Sequence, residues 1–153
     1  LDIAASSLRV ARQGMDAVMN GSRGTARRSR IIADEWRMAG KTGTSQVRNI
    51  TAAERARGVI RNDQLPWNRR DHGLFVGYAP YDAPRYAVSL VVEHGGGAAA
   101  ATPMARDILL FALAGGLPPL SAVPGDQRAA MEERHNAMQL YMPEPAPAGR
   151  SRA

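Results

Sequence analysis

The sequence predicts an α+β fold, an antiparallel sheet with helices packed on it, and three observations carry that expectation. Near the N-terminus Leu8, Ala11, Met15, Val18 and Met19 recur at helical spacing. Two β-type runs, Asp71 to Ala79 and Arg85 to Glu93, flank the turn Pro80–Pro84, and a connection that short implies an antiparallel hairpin. A second helix-periodic segment follows Thr102-Pro103.

Taken in order, Ser6 or Ser7 is expected to cap the first helix, whose apolar stripe reads as core, and Asn20-Gly21 to end it. A basic connection then begins at Gly24-Thr25-Ala26, with Ile31 and Ile32 opening a short strand. Trp36 and Met38 lead into a strand that carries Lys41. From Arg48 to Arg70 the pattern is polar, with one or two helical turns over Ala52 to Arg57, and Trp67 is either a stacking group or packed under its own loop. In the hairpin, Leu74, Val76 and Tyr78 share one face and Phe75 takes the other. Gly95 to Gly97 leave the sheet, Thr102 caps the last main helix with Pro103 at its first position, and Met104, Ile108, Phe111 and Ala112 are expected to face the sheet. Gly115-Gly116 stop that helix. The folded unit is expected over residues 1–116, followed over 117–153 by a Pro-rich tail with a rigid spacer at Pro118-Pro119 and Pro124. A loosely held helix is expected from Asp126 to Tyr141 and disorder from Pro143.

Composition narrows the classes of function. The chain has 153 residues, no cysteine and a net charge of +6. Disulfides and thiolate metal sites are excluded, and His72, His94 and His135 are too scattered to suggest a ligand cluster, so neither a metal nor a cofactor is expected. No apolar run has the length that crosses a bilayer. Arginines crowd at Arg23, Arg27, Arg28 and Arg30 and again from Arg55 to Arg70. They read as solvated loops or as a nucleic-acid or anionic-membrane patch, and without interleaved aromatics nucleic acid is not the expected partner.

The stretch that points to chemistry is Gly40-Lys41-Thr42-Gly43-Thr44-Ser45, because Lys41 is the only lysine among 20 basic residues. An ammonium approaches a hydroxyl or carboxylate end-on, as a guanidinium does not. On a strand, Lys41 and Gly43 point one way and Thr42 and Thr44 the other, which offers a peptide carboxylate a cation, two hydroxyls and a bare backbone. Gly40-Lys41-Thr42 is not the end of a phosphate loop, since the required earlier glycine is Glu35. Ser45, His72 and Asp71 do not make a triad by mere presence, and His72 is expected to be structural.

The run Lys41 to Val47 resembles the K-T-G box of the serine acyl-transferases that include penicillin-binding proteins and active-site serine β-lactamases. The succession Gly14-Met15, Asn20-Gly21, Gly24-Thr25-Ala26, the box, Phe75 to Pro80 and Val91 to Gly96 resembles the C-terminal part of a class B penicillin-binding protein of the elongation type, penicillin-binding protein 2, from Leu8 to Leu113. That resemblance implies a transpeptidase-domain fold whose K-T-G strand lies at the edge of a five-stranded sheet, and a peptidoglycan D,D-transpeptidase that crosslinks stem peptides and binds β-lactam antibiotics. It implies catalytic roles for Lys41 and Thr44, and substrate binding by Thr42, Gly43 and Thr44, with the Thr44 N–H as half of an oxyanion hole. It also implies a place at the periplasmic face of the bacterial inner membrane beside membrane proteins of the elongation machinery.

The family also uses S-x-x-K and S-x-N or S-x-D boxes. With Lys41 the sole lysine, no serine here precedes a lysine by three, and none of the serines has Asn or Asp two residues later. The expectation is therefore a C-terminal fragment that carries one wall of an active site and does not turn over alone. A D,D-carboxypeptidase or serine β-lactamase sharing the box is one alternative, and a basic binding module for nucleic acid or a membrane-associated partner is another.

Overall fold

The computed structural model describes residues 2–138, and its elements follow the order α1 (Ala5–Asn20), β1 (Ala39–Ser45), α2 (Ala52–Arg57), β2 (His72–Ala79), β3 (Tyr86–Val92), α3 (Ala98–Ala114) and α4 (Arg128–Ala137). The strands form one antiparallel sheet in the order β1-β2-β3, an α+β architecture as expected. Its registers pair Lys41 with Val76, Thr42 with Phe75 and Thr44 with Gly73, and then Phe75 with Leu90.

α1 starts one residue before the expected caps. Ala4 holds the cap position without a side-chain hydrogen bond, and Ser6 and Ser7 lie inside the first turn. Its apolar stripe is core only at the C-terminal end. Met19 is fully buried and Val18 packs on the core, whereas Leu8 and Ala11 are exposed. The buried end is tied to the approach of β1: Arg37 grips Asp16 through two hydrogen bonds of 2.8 and 2.7 Å, and Asn20 Nδ2 donates to the Met38 carbonyl at 3.0 Å. Ile31 and Ile32 form no strand. Ile31 packs into the core while the Ile32 N–H bonds the Ala122 carbonyl, so this extended stretch is used by the C-terminal segment and not by the sheet.

The core-facing side of the sheet is built around one aromatic ring. Gly73, Phe75, Gly77 and Ala79 are buried on one side of β2, and Leu74, Val76 and Tyr78 lie on the other. A Cβ on Gly40 would sit 2.1 Å from the Phe75 ring, and one on Gly77 2.6 Å from it. Both glycines are thus demanded by the ring lying across its neighbours.

α3 departs from expectation in its start and in its buried face. The alanines at 98–101, the strongest helix formers, begin it a turn before Pro103, with Gly97 (φ 141°) as cap. Thr102 is therefore inside the helix, where its hydroxyl bonds the Ala98 carbonyl at 2.7 Å. The buried face is Ala101, Ala105, Leu109, Leu110 and Leu113, while Met104, Ile108 and Phe111 face outward. Phe75 fills the volume above the sheet, so small side chains bring the helix onto it. Gly115, in the left-handed region at φ 69°, ends α3 as the sequence suggested.

The segment expected to be a spacer packs on this core. Ala122, Val123 and Met131 are buried with it, and Gln127 bridges the buried Arg106 guanidinium (Nη1 to Oε1) to the Arg28 carbonyl (2.6 Å). The helix expected from 126 to 141 is α4 over Arg128–Ala137; its expected end and the disorder expected from Pro143 lie outside the described residues. No helix among the described residues is long and apolar enough to cross a membrane.

Candidate active site

β1 is an edge strand: β2 pairs along one side, and among the described residues no strand pairs along the other. Alternation along it follows the expected pattern. Lys41 and Gly43 share the face of Leu74 and Val76, and Thr42 and Thr44 share that of Phe75 and Gly73. Lys41 is exposed, and its Nζ reaches back to donate to the Thr42 carbonyl at 2.6 Å, so the ammonium lies against the backbone of the strand. The Thr42 hydroxyl meets that of Thr25 at 3.2 Å. A Cβ on Gly43 would touch only Leu74, at 3.3 Å from its Cβ, and the strand is bare there. Thr44 is exposed beside the turn after β3, where a Cβ on Gly97 would lie 3.7 Å from the Thr44 hydroxyl.

Beyond Ser45 the connection to β2 folds into its own small structure. Thr51 caps α2 by accepting the Glu54 N–H at 3.2 Å. Glu54 is held by Arg48 through both carboxylate oxygens and accepts the Ile60 N–H at 3.1 Å. An open cavity of about 600 Å³, lined by Arg48, Ile60, Arg61, Asn62 and Asp71 among others, lies beside the exit of β1.

The Arg48 hydrogen bonds, seconded by the Ile60 N–H, hold the Glu54 carboxyl at about 2, against 4.5 ordinarily. A folded-state value below the unfolded one stabilises the loop at pH above about 4.5, and that contribution is lost as pH falls through about 2. The Ile60 amide resonance is accordingly expected to titrate with a midpoint near 2; a midpoint near 4.5 would show that Arg48 does not hold the carboxylate.

His72 is structural, as expected. Its Nδ1 accepts the His94 N–H at 2.9 Å, and the His94 Nδ1 lies 3.0 Å from the Arg70 carbonyl, which only a donor can satisfy. Trp67 stands edge-on to the His94 ring at 4.6 Å with most of its surface open. Several of the crowded arginines serve the fold: Arg27 donates to the Asn20 carbonyl, Arg55 to the Ile50 carbonyl and Arg70 to the Leu65 carbonyl.

A family model described as the penicillin binding protein transpeptidase domain matches residues 1–110. The chain belongs to this family. Among curated members, peptidoglycan D,D-transpeptidase MrdA of Haemophilus influenzae is 37% identical over 109 residues, and MrdA of Escherichia coli 33% over 108, each alignment covering 71% of this chain. The chain spans 16% of the length of these relatives. Among transpeptidase structures, the complex between penicillin-binding protein PBP2 and MreC from Helicobacter pylori aligns with a TM-score of 0.52 at 25% identity, covering 72% of this chain and 19% of that one. The matches to transpeptidases favour that reading over the carboxypeptidase, β-lactamase and basic-module alternatives.

Two neighbours of the family box were not singled out for a role from sequence. Thr25 lies 17 residues before Thr42 and meets it only once the chain turns at Gly21–Gly24. Asp71, one residue before β2, is bonded to both Val47 and Asn62. The position of Thr25 in Gly24-Thr25-Ala26 was a usable signal for the first.

Proposed function

We propose that this chain is the K-T-G wall of a peptidoglycan D,D-transpeptidase, on which a stem peptide is held while a serine from outside these 153 residues attacks it. The observation that carries this reading is the bare outer edge of β1 with Lys41, Thr42, Gly43 and Thr44 along it, in a chain of the transpeptidase-domain family.

A peptide ending in D-alanyl-D-alanine adds beside β1 as a further strand, its main chain bonding the open amides and carbonyls of the edge. Gly43 leaves room for that approach. The hydroxyls of Thr42 and Thr44 hold the terminal carboxylate, and the Lys41 ammonium supplies positive potential and a donor to the serine network. The serine oxygen bonds to the carbonyl carbon of the penultimate residue, and negative charge gathers on the carbonyl oxygen. The Thr44 N–H faces that oxygen as half of the oxyanion hole, and the amide of the serine completes it. Collapse of the intermediate breaks the peptide bond and releases D-alanine, which takes up a proton. An amine of a neighbouring stem peptide then takes the acyl group from the serine. A β-lactam acylates the same serine because its amide and carboxylate occupy the same positions.

The reading extends to partners and place: membrane proteins of the elongation machinery, at the periplasmic face of the inner membrane; the Helicobacter pylori PBP2 is found in complex with MreC. A fluorescent penicillin tests the division of labour. The 153-residue chain is expected to remain unlabelled, and the serine-bearing protein that contains it to be labelled stoichiometrically; covalent label on the chain alone contradicts the proposal.

A further inference from the structure

Asp71 stands one residue before β2, outside the K-T-G box, and each polar group it carries is bonded: to the exit of β1, to Asn62 or to the turn after β3. Its Oδ1 accepts the Val47 N–H at 3.2 Å, two residues past the end of β1. Its Oδ2 accepts from Asn62 Nδ2 at 3.1 Å, and its own N–H donates to Asn62 Oδ1 at 2.8 Å. Its carbonyl accepts the Gly96 N–H at 2.8 Å, in the turn whose next residue, Gly97, lies against Thr44. The exit of β1, the 62–64 turn and the turn after β3 are thus joined at one half-buried residue.

We propose that Asp71 is a positioning residue for the backbone of Thr44. The inference rests on the role given above to the Thr44 N–H. The carboxylate touches no reacting atom. It fixes where β1 ends, and so holds the Thr44 amide at the angle an oxyanion requires. A donor displaced by about 1 Å can lower a rate on the order of 100-fold.

The network requires an acceptor-only side chain at position 71. In Asp71→Asn, the new amide can still accept from Val47, but its NH2 then faces the NH2 of Asn62. Flipping Asn62 to relieve that contact sets its NH2 against the backbone N–H of residue 71. Either way one donor meets another. The exchange Asn62→Asp with Asp71→Asn removes the conflict, since a carboxylate at 62 accepts from both the side-chain NH2 and the backbone N–H of residue 71.

The test compares the unmodified protein, Asp71→Asn and the exchange variant by two readouts. In the isotope-labelled 153-residue chain, Asp71→Asn is expected to speed hydrogen exchange of the Val47 amide about tenfold or more and to shift the Thr44 amide resonance, and the exchange variant to reverse both. In the serine-bearing protein, Asp71→Asn is expected to slow β-lactam acylation roughly 10- to 100-fold with the dissociation constant changed less than about twofold, and the exchange variant to recover the rate. Unchanged acylation in Asp71→Asn, or an exchange variant that folds and stays slow, overturns the proposal. If Asp71→Asn does not fold, the exchange variant decides: recovery of fold and rate supports the inference, and failure of either sinks it. Failure of the transpeptidase reading is distinguishable, because it leaves the unmodified protein itself without acylation.

Discussion

Lys41→Ala in the serine-bearing protein is expected to slow acylation by a β-lactam about 100- to 1,000-fold, the scale seen when one preorganised stabiliser of a developing charge is removed. The fold is expected to survive unchanged. Lys41 is exposed, its one side-chain hydrogen bond among the described residues is to the neighbouring Thr42 carbonyl, and its side chain lies outside the hydrophobic core. Lys41→Arg separates charge from shape. The guanidinium keeps the positive charge but cannot approach a hydroxyl end-on, so the rate is expected to stay well below that of the unmodified protein. Stopped-flow acylation with a chromogenic β-lactam measures both variants, and a rate for Lys41→Ala within twofold of the unmodified protein would remove Lys41 from the site.

Phe75→Ala is expected to cost about 3–5 kcal/mol of unfolding free energy, the largest loss from any single truncation in the sheet. The ring is buried under α3 and lies across Gly40 and Gly77, which carry no side chains to close over the cavity it would leave. Small alanines at 101 and 105 face the same space and cannot fill it. Urea unfolding of the 153-residue chain checks this, and a loss below about 1 kcal/mol would mean that the ring is not what spaces α3 from the sheet. The same substitution removes the support beneath Thr42, its partner in register, so the stability of the core and the shape of the edge strand depend on one residue.

The elements that could be read from the sequence are those set by local chemistry. The hairpin of β2 and β3 follows from alternation and a short proline-bounded turn, and the two faces of β1 follow from a period of two. The buried face of α3 was not legible for a specific reason. Its residues are apolar nearly all round, so Met104, Ile108 and Phe111 and also Ala101, Ala105 and Leu109 satisfy helical spacing. Choosing between them requires knowing that Phe75 already occupies the layer, which is a tertiary fact. Pro103 has the signature of a first helical turn, but the alanine run ahead of it carries the helix start back to Ala98.

In the candidate site, Lys41, Thr42, Gly43 and Thr44 stand out in the sequence because their chemistry is local and unusual: a lone ammonium, hydroxyls on one face and a glycine between them. Asp71 and Thr25 could not be assigned roles that way, because each matters through a partner distant in sequence. Trp67 illustrates the intermediate case. Its ring meets His94 of the turn after β3 by an edge, rather than a residue of its own loop, and most of its surface is open.

The central claim is that the open edge of β1 receives the acyl group with the Thr44 amide turned toward its carbonyl oxygen. A crystal structure of the serine-bearing protein acylated by a β-lactam tests it most directly. The account predicts the acyl carbonyl oxygen about 2.7–3.1 Å from the Thr44 nitrogen, with the antibiotic's carboxylate at the hydroxyls of Thr42 and Thr44. An acyl oxygen out of hydrogen-bond reach of every β1 amide, or a β1 edge already paired with another strand of the protein, would contradict it.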